Sequence, residues 1–464
     1  MSENKSGIFI VNGQSLAFTF ALVSSLFFVW AVCNGMIDAM DKHFQEELSL
    51  SKSQSAWVQF AHYLGYFLMS MPAGWLATKL GYKRGIIMGL LIVAVGGFWF
   101  IPATHISEAA SLGSVSRTTA FIGFLAGVCV IATGLTFLET IANPYTTVLG
   151  DKRFAATRIN LAQSCNGLGW IFGPPLGAIF FYGKDALGHS TGSQTLYIPY
   201  VGVAIAALFL ASIFAFAKMP DIKAKDDYHL DDAAPGATHS IWSHPHFVLG
   251  VAAQFFYVAA QAGIFSFFIN YMTSETPSIP ASWGAPGFLN GWLNGWFETG
   301  RTGALVLSDK GAAYLMSVPY VCFFIGRFTG AGLLRRFSAH KMLGFYALMN
   351  VVMTLLVFFK LGWLSAVCVF LSYFFMSIMF PTIFALGIFG LGARAKKASS
   401  FIVMAIMGGA VLPKLMGAVA DKWDMSRGFI VPMFCFAFVA FYGFNWSKFS
   451  KADSLQGSGP LVGH

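Results

Sequence analysis

The sequence predicts an all-α integral membrane protein with about twelve transmembrane helices in two pseudo-symmetric six-helix bundles. Of its 464 residues, 56% are hydrophobic and only 11% are charged, whereas soluble domains carry roughly 25% charged residues. About twelve apolar runs approach the length of about 20 residues that a helix needs to cross the hydrocarbon. Similar stretches recur at corresponding places in the two halves of the chain, as in membrane proteins built from related bundles.

The predicted spans follow one another along the chain with mostly short connections. They cover about residues 15–40, 54–79, 85–104, 119–148, 156–183, 194–218, 245–272, 311–334, 341–360, 363–389, 396–420 and 427–446. The longest of these imply tilt or helix ends that project beyond the hydrocarbon. The first run is too long for the apolar core of a signal peptide, so we expect it to remain as the first span.

Lys and Arg residues are distributed unevenly among the short loops. Four alternate loops are basic, and they contain Lys79, Lys83 and Arg84; Lys152, Arg153 and Arg158; Arg335, Arg336 and Lys341; and Arg394, Lys396 and Lys397. The opposite loops are poorer in these residues, and the 41–53 loop is net acidic. Because cytoplasmic loops collect positive charge, both termini are predicted to lie in the cytoplasm.

A polar segment near the midpoint divides the chain. Residues 218–244 are rich in charge and contain Pro and Gly, so they are predicted to be a cytoplasmic linker between an N-terminal bundle (1–217) and a C-terminal bundle (245–464). A second long loop, at about 273–310, is predicted to face outward. The repeat is weak but present: AGWLATKLGYKRG follows the second span, and GAGLLRRFSAHKMLG follows the eighth.

Several classes of function lack their sequence signatures. The net charge of +9 is assigned to the cytoplasmic loops and not to a nucleic-acid surface, because no basic run with interleaved aromatic residues stands outside the apolar segments. The six cysteines lie in apolar runs without CxxC spacing, which predicts neither a disulfide framework nor a metal site. No GxxxxGK[ST] loop occurs, so an ATP-driven pump is not indicated. No nucleophile–base or metal constellation indicates an enzyme, and no cofactor is expected.

The loop GWLATKLGYKR (74–84) is similar to the loop motif of the major facilitator superfamily, although Thr78 and Tyr82 stand where Asp and Arg are common. More specific are GLTFLETIANPYTTVLG (134–150), RINLAQSCNGLG (158–169), CFFIGRFTG (322–330), FPTIFALGI (380–388) and SSFIVMAIMGG (399–409). These segments resemble the fucose permease family of sugar:proton symporters, whose members carry fucose, glucose/galactose or N-acetylglucosamine. The resemblance extends from about residue 20 to residue 445.

The resemblance implies a major facilitator fold and a secondary transporter that imports a monosaccharide with protons by alternating access. It also implies a bacterial inner-membrane location, and we expect a monomer surrounded by lipid. The 273–310 loop has no obvious match in the fucose carrier, which leaves the sugar open. The alternatives are sodium coupling, another small polar solute, or a sugar sensor without transport.

Ionisable residues inside predicted spans are the first candidates for function, because each costs about 2.5–3.5 kcal/mol at a helix centre. Glu139 is surrounded by apolar residues, which disfavour the charged carboxylate and allow it to bind a proton near neutral pH. Asp38 lies at the outer end of the first span. The resemblance implies that both carboxylates act in proton coupling and sugar binding; the alternatives are a structural contact for Glu139 and a boundary position for Asp38.

Three further charged or titratable residues favour a structural or gating role. Arg327 cannot release its proton, so it is expected to pair with a carboxylate or to hold a helix–helix contact. Lys414 either extends toward the membrane surface or acts at the site. His62 either titrates near physiological pH or is a hydrogen-bonded helix histidine.

Amide and aromatic side chains are the groups that recognise sugar hydroxyls and sugar faces. Helical spacing places Gln163 with Asn166 on one face, and the resemblance implies that this pair lines the sugar cavity. The other candidate binding residues share faces in the same way: Gln254, Tyr257 and Gln261 in the seventh span, Asn34 four residues before Asp38, and Asn143 four residues after Glu139. The alternative for each is hydrogen bonding between helices, worth about 0.6 kcal/mol.

Overall fold

Helices account for almost all of the computed structural model. It describes residues 9–11, 14–149, 155–182, 195–219, 241–279, 295–300, 303–334, 337–389 and 395–450. Most of the predicted linker (218–244) therefore lies outside the described residues, as do residues 280–294, 301 and 302 of the predicted outward loop (about 273–310).

Most elements of the described chain are helices, and two pairs of short strands accompany them. The helices are α1 (Ala17–Glu47), α2 (Lys52–Ser55), α3 (Trp57–Ser111), α4 (Arg117–Val148), α5 (Ala155–Phe181), α6 (Tyr197–Phe216), α7 (Pro245–Ser266), α8 (Phe268–Ser274), α9 (Asp309–Leu315), α10 (Ser317–Leu333), α11 (Ala339–Phe358), α12 (Trp363–Met376), α13 (Met379–Ile388), α14 (Ala395–Met404), α15 (Gly408–Lys422), α16 (Met425–Gly428) and α17 (Ile430–Ser450). Two antiparallel pairs of short strands accompany them: β1 (Ile10–Val11) with β2 (Gln14–Ser15), and β3 (Phe297–Thr299) with β4 (Leu305–Leu307).

Each predicted span corresponds to a helix or to a helix interrupted by a break. The second and third spans form the single element α3, whose helical geometry fails at Gly81, with φ 75° and ψ 170°. Glycine adopts this left-handed φ at little cost, so the connection between these two spans is a tight turn. Five spans of the second half are each divided: α7 from α8, α9 from α10, α12 from α13, α14 from α15, and α16 from α17.

Ten helical segments of the described chain are long and apolar enough to cross a membrane, judged by length and composition alone. The predicted spans 54–79 and 156–183 are not among the ten, but both are helical, as the first part of α3 and as α5. Their polar side chains lower their hydropathy, and several of them belong to the site described below. Large apolar side chains cover the outer surface: Phe209 is 66% exposed and Phe434 is 65% exposed. Such a surface suits lipid and not water.

The helices pack in two sets that meet along a central interface. In the first, α3 packs on α4 and α6, and α1 packs on α5; in the second, α7 and α11 pack on α17, and α10 packs on α12. Between the sets, α5 contacts α9 and α10, and α15 contacts α2 and α3. Glycine has no side chain beyond hydrogen, and this allows helix backbones to approach closely at two places in the first set. A Cβ on Gly173 would lie 2.8 Å from the Cα atom of Gly35, and one on Gly65 would lie 2.7 Å from the carbonyl oxygen of Cys129.

Candidate functional site

Asp38 lies at the interface between the two sets of helices. Its side chain is only 5% exposed, so it is enclosed by other parts of the chain. Gln59 of α3 donates a hydrogen bond from Nε2 to Asp38 Oδ1 over 2.9 Å. Tyr320 of α10 donates its hydroxyl proton to Oδ2, also over 2.9 Å. Asp38 therefore joins α1 and α3 of the first set directly to α10 of the second.

Glu139 is half-buried on α4, and a tyrosine forms a hydrogen bond with its side chain. The hydroxyl of Tyr66, on α3, lies within hydrogen-bonding reach of the Glu139 carboxyl. The indole Nε1 of Trp30 donates to the same hydroxyl oxygen over 2.6 Å. Asn34 also lies within reach of Tyr66. Residues of α1, α3 and α4 thus converge on one phenol.

Asn34 and His62 place unpaired polar atoms beside this phenol. Asn34 is 7% exposed and His62 is 4% exposed. Within the described ranges, neither Asn34 Oδ1 nor His62 Nδ1 has a hydrogen-bond partner. The His62 ring centroid lies 5.0 Å from that of Tyr63 and 5.0 Å from that of Tyr66. His62 is therefore packed among aromatic rings, and its Nδ1 lacks the hydrogen bond expected of a structural helix histidine.

The amides of α5 lie beside α1. Asn166 is 3% exposed, and its Nδ2 approaches the backbone carbonyl oxygen of Phe27 at 3.4 Å. Gln163, one turn earlier, is half-buried. The close approach of Gly173 to Gly35 brings these helices together, so the polar faces of α1 and α5 border the same region.

The three candidates of α7 differ in what their polar atoms contact. The Tyr257 hydroxyl donates to the carbonyl oxygen of Met376 over 3.0 Å, where α12 ends before the break, so it stabilises that break. Gln254 is completely buried, yet neither its Oε1 nor its Nε2 has a hydrogen-bond partner among the residues that the structure describes. Gln261 is half-buried.

Arg327 and Lys414 both make contacts between helices. Arg327 Nε approaches the carbonyl oxygen of Ser377 at 3.4 Å, and its guanidinium lies 4.7 Å from the Phe323 ring centroid. It thus joins α10 to the segment between α12 and α13. Lys414 Nζ lies 3.7 Å from the ring centroid of Trp57, which places it between α15 and α3. The side chain of Asn143, the remaining candidate, lies outside the described residues.

The two sets of helices are joined at the end that the loop charges predict to face outward. Asp421 accepts hydrogen bonds from the backbone amides of Lys52 (2.9 Å) and Ser53 (2.8 Å). Asn270 Nδ2 donates to Gln45 Oε1 over 2.6 Å. We call these hydrogen bonds the outer contact. A Cβ on Gly417 would meet the Lys52 carbonyl oxygen at 2.8 Å, so the backbones of the two sets touch here.

An ion cluster stabilises the same end of the second set. Lys360 Nζ lies 3.2 Å from Glu275 Oε2 and 3.0 Å from Asp424 Oδ2. Partial desolvation tends to raise the pKa of Asp424, but the backbone amide of Arg427 and the ammonium of Lys360 outweigh it, and the net pKa lies below its ordinary value. Glu275 also accepts hydrogen bonds from the Met425 amide and the Ser426 hydroxyl. The cluster therefore ties α8, α11 and α16 together.

Sequence reasoning missed several aromatic partners of the site. Tyr66, Trp30 and Tyr320 lie within long apolar runs, where an aromatic residue gives no distinctive signal. Trp170 of α5 was also missed, and its ring centroid lies 5.2 Å from that of Tyr320 and 5.7 Å from that of Phe265. The fifth missed residue, Gln59, did carry a signal, because it lies three residues before His62 and so shares a helix face with it.

Apolar helices of spanning length, broken at several points, surround a polar interface between two helical sets. This arrangement is that of an integral membrane protein, and the proteins it is similar to are transporters and not enzymes. Residues 15–359 match the model of the Major Facilitator Superfamily. The glucose/galactose transporter of Brucella abortus is 32% identical over 94% of this chain and 95% of its own length. The L-fucose-proton symporter of Escherichia coli is 35% identical over 92% of this chain and 93% of its own length.

Solved structures agree with these relatives. A crystal structure of the E. coli fucose:proton symporter, FucP, superposes with a TM-score of 0.63 at 33% identity, covering 94% of this chain and all of that one. The D-xylose-proton symporter superposes with a TM-score of 0.65 at 12% identity, which shows the fold alone. The chain belongs to the Major Facilitator Superfamily and, within it, to the fucose permease-like family of sugar:proton symporters.

Proposed function

We propose that this protein imports a monosaccharide of the fucose, glucose/galactose or N-acetylglucosamine type together with protons, by alternating access. The observation that carries the proposal is the presence of two carboxyls inside the spanning helices, Asp38 and Glu139, together with buried amide atoms that have no partner among the described residues. The bacterial inner membrane, cytoplasmic termini and a monomeric state belong to the same proposal, as do the two bundles 1–217 and 245–464.

The carboxyls suit proton binding because they lack a counter-cation. In the part of the chain that the structure describes, no Lys or Arg forms an ion pair with Asp38 or Glu139. Their neighbours are neutral hydroxyls and an amide. Burying an unpaired carboxylate is costly, whereas the protonated form is neutral and donates one hydrogen bond. Protonation therefore lowers the cost of moving either group through a closed state.

The amides suit a ligand rich in hydroxyl groups. Among the residues that the structure describes, Asn34 Oδ1 and both amide atoms of Gln254 are buried without partners, and each unmade hydrogen bond costs about 1–3 kcal/mol. A sugar hydroxyl can donate and accept at once, so it can satisfy both kinds of amide atom. Trp170 presents a half-buried indole near Tyr320, and such a ring suits the apolar face of a sugar.

Alternating access requires contacts that form at one end of the interface and break when the site opens there. The outer contact supports a state closed to the outside. Asp38 lies at the same interface and bonds across it to Tyr320. In the proposed cycle, the protonation of Asp38 changes this bond from a charged to a neutral one, which weakens the link between the two sets because charge-assisted bonds are about twice as strong.

The test is uptake of a panel of labelled sugars into proteoliposomes, under an imposed proton or sodium gradient. We expect external acidification to accelerate the uptake of one or more of these monosaccharides. A membrane potential of 100 mV supplies about 2.3 kcal/mol per charge, or nearly 50-fold accumulation. Uptake that follows a sodium gradient and ignores the proton gradient would contradict the coupling, and failure to transport any sugar in the panel would contradict the substrate class.

A further inference from the structure

Tyr66 lies where α1, α3 and α4 meet, beside the proposed coupling carboxyl of Glu139. Its side chain is 5% exposed. The close approach at Gly65, where a Cβ would lie 2.7 Å from the Cys129 carbonyl oxygen, holds this part of α3 against α4. Glu139 lies farther along α4, and the phenol reaches toward its carboxyl. The packing of the α3 backbone against α4 thus helps to fix the position of Tyr66, in addition to the contacts of its side chain.

The hydrogen bond from Trp30 determines which way the Tyr66 hydroxyl points. An indole N–H only donates, and Trp30 Nε1 lies 2.6 Å from the Tyr66 oxygen. The phenol must therefore accept from Trp30 and offer its single proton elsewhere. The carboxyl of Glu139 is an acceptor within its reach. This polarity makes Tyr66 a donor to the ionised carboxylate and fixes the orientation of one Glu139 oxygen.

The same phenol borders the candidate sugar-binding atoms. Asn34 lies within reach of Tyr66, and its Oδ1 is unpaired in the described part of the chain. The titratable side chains whose rings lie beside Tyr66 are His62, at 5.0 Å, and Tyr63, at 6.4 Å. Both are on α3; the groups facing Tyr66 from α1 are Trp30 and Asn34, and Glu139 faces it from α4. A change in the hydrogen bonding of Asn34 can therefore affect Glu139 through the Tyr66 hydroxyl, which lies within reach of both side chains.

We propose that Tyr66 is a positioning residue for proton coupling: held by Trp30, it directs its only proton to Glu139 and links that carboxyl to the Asn34 end of the sugar site. This inference rests on the proposed function, because it assigns a partner to the proposed coupling carboxyl. No bond is made or broken by Tyr66, which keeps its proton throughout. Its effect is to set the pH at which Glu139 releases its own.

The experiment compares Tyr66→Phe with wild type in proteoliposomes, with Tyr442→Phe as the matched control. Tyr442 is equally buried, and its hydroxyl donates to the His246 carbonyl oxygen over 3.0 Å, on helices of the second set. Sugar counterflow and proton-driven uptake are measured from pH 5 to 9, a range of roughly two units on either side of neutrality. In Tyr66→Phe we expect counterflow to be retained and the alkaline limb of driven uptake to move up by about one pH unit, a tenfold change in proton affinity.

Tyr442→Phe should leave the pH profile unchanged. A Tyr66→Phe profile that superimposes on the wild-type profile would overturn the proposal, and so would equal loss of counterflow and driven uptake in a protein that stays monodisperse. If Tyr66→Phe does not fold, Trp30→Phe decides, because it removes the indole donor and keeps an aromatic ring; a smaller alkaline shift supports the proposal and no shift refutes it. If the wild-type protein itself shows no proton-driven sugar uptake, the proposed function fails, which is a separate outcome from an unmoved pH profile.

Discussion

Replacing Gln254 by Met should stabilise the sugar-free protein and weaken sugar binding at the same time. Gln254 is completely buried on α7, and both of its amide atoms lack partners among the described residues. Leaving a buried polar group unpaired costs about 1–3 kcal/mol, and an apolar group of the same shape avoids that cost. Met matches Gln in length and flexibility. We therefore expect Gln254→Met to raise the free energy of unfolding of the sugar-free protein by about 1–3 kcal/mol.

The same substitution removes the hydrogen bonds that sugar is proposed to make with Gln254. Losing a buried polar partner costs about 1–3 kcal/mol of binding free energy, so the dissociation constant should rise about 5- to 150-fold. The assay is thermal unfolding in detergent with and without sugar, together with calorimetric titration of the same preparation.

Asn350 provides a matched control for this experiment. It is also completely buried with both amide atoms unpaired in the described chain, but it lies on α11 and is not a candidate for the site. Asn350→Leu should stabilise the protein in the same way and leave sugar affinity unchanged. The reasoning would be refuted if Gln254→Met destabilised the sugar-free protein or bound sugar as tightly as wild type does.

Two further predictions concern the α5 amides and the outer contact. Asn166→Ala and Gln163→Ala should each leave the protein extractable and weaken sugar binding about 5- to 150-fold, the equivalent of roughly 1–3 kcal/mol for a lost buried partner; unchanged affinity in both variants, measured by titration, would make these amides structural. In a protein that carries Gln45→Cys, the added Asp421→Asn substitution should raise the rate at which an impermeant external maleimide labels the introduced cysteine. The increase should be about 2- to 5-fold, because a hydrogen-bonded carboxylate at an exposed position contributes roughly 0.5–1 kcal/mol. An unchanged labelling rate would show that the Asp421 carboxylate does not control opening.

The helical architecture was predictable because the apolar runs and their lengths follow directly from the sequence. Each predicted span has a helical counterpart, since backbone groups in lipid must satisfy their hydrogen bonds within a helix. The helix breaks were harder to predict. At the interruption between α12 and α13, the Tyr257 hydroxyl bonds to the carbonyl oxygen of Met376, and periodicity does not reveal this tertiary contact.

The candidate site was predictable in its charged members and not in their partners. A lone carboxyl such as Glu139 is conspicuous in an apolar run because of its cost. The tyrosine that reaches it is not conspicuous, because phenols are common in buried helices. The bond from Tyr320 to Asp38 joins residues 282 positions apart, so only the packing of the two helical sets brings them together. Sequence thus indicated the two candidate carboxyls for proton coupling, and the structure adds the neutral groups that contact them.

Glu139 is proposed to couple proton movement to sugar movement, and Glu139→Gln tests this coupling. Glutamine resembles a protonated carboxyl in size and hydrogen bonding but has no proton to release. Counterflow and proton-driven accumulation should be measured on one preparation of the variant. We expect Glu139→Gln to exchange internal for external sugar while failing to accumulate it, because the return of the empty carrier requires deprotonation. Accumulation against a gradient as strong as in wild type would show that Glu139 is not the coupling site.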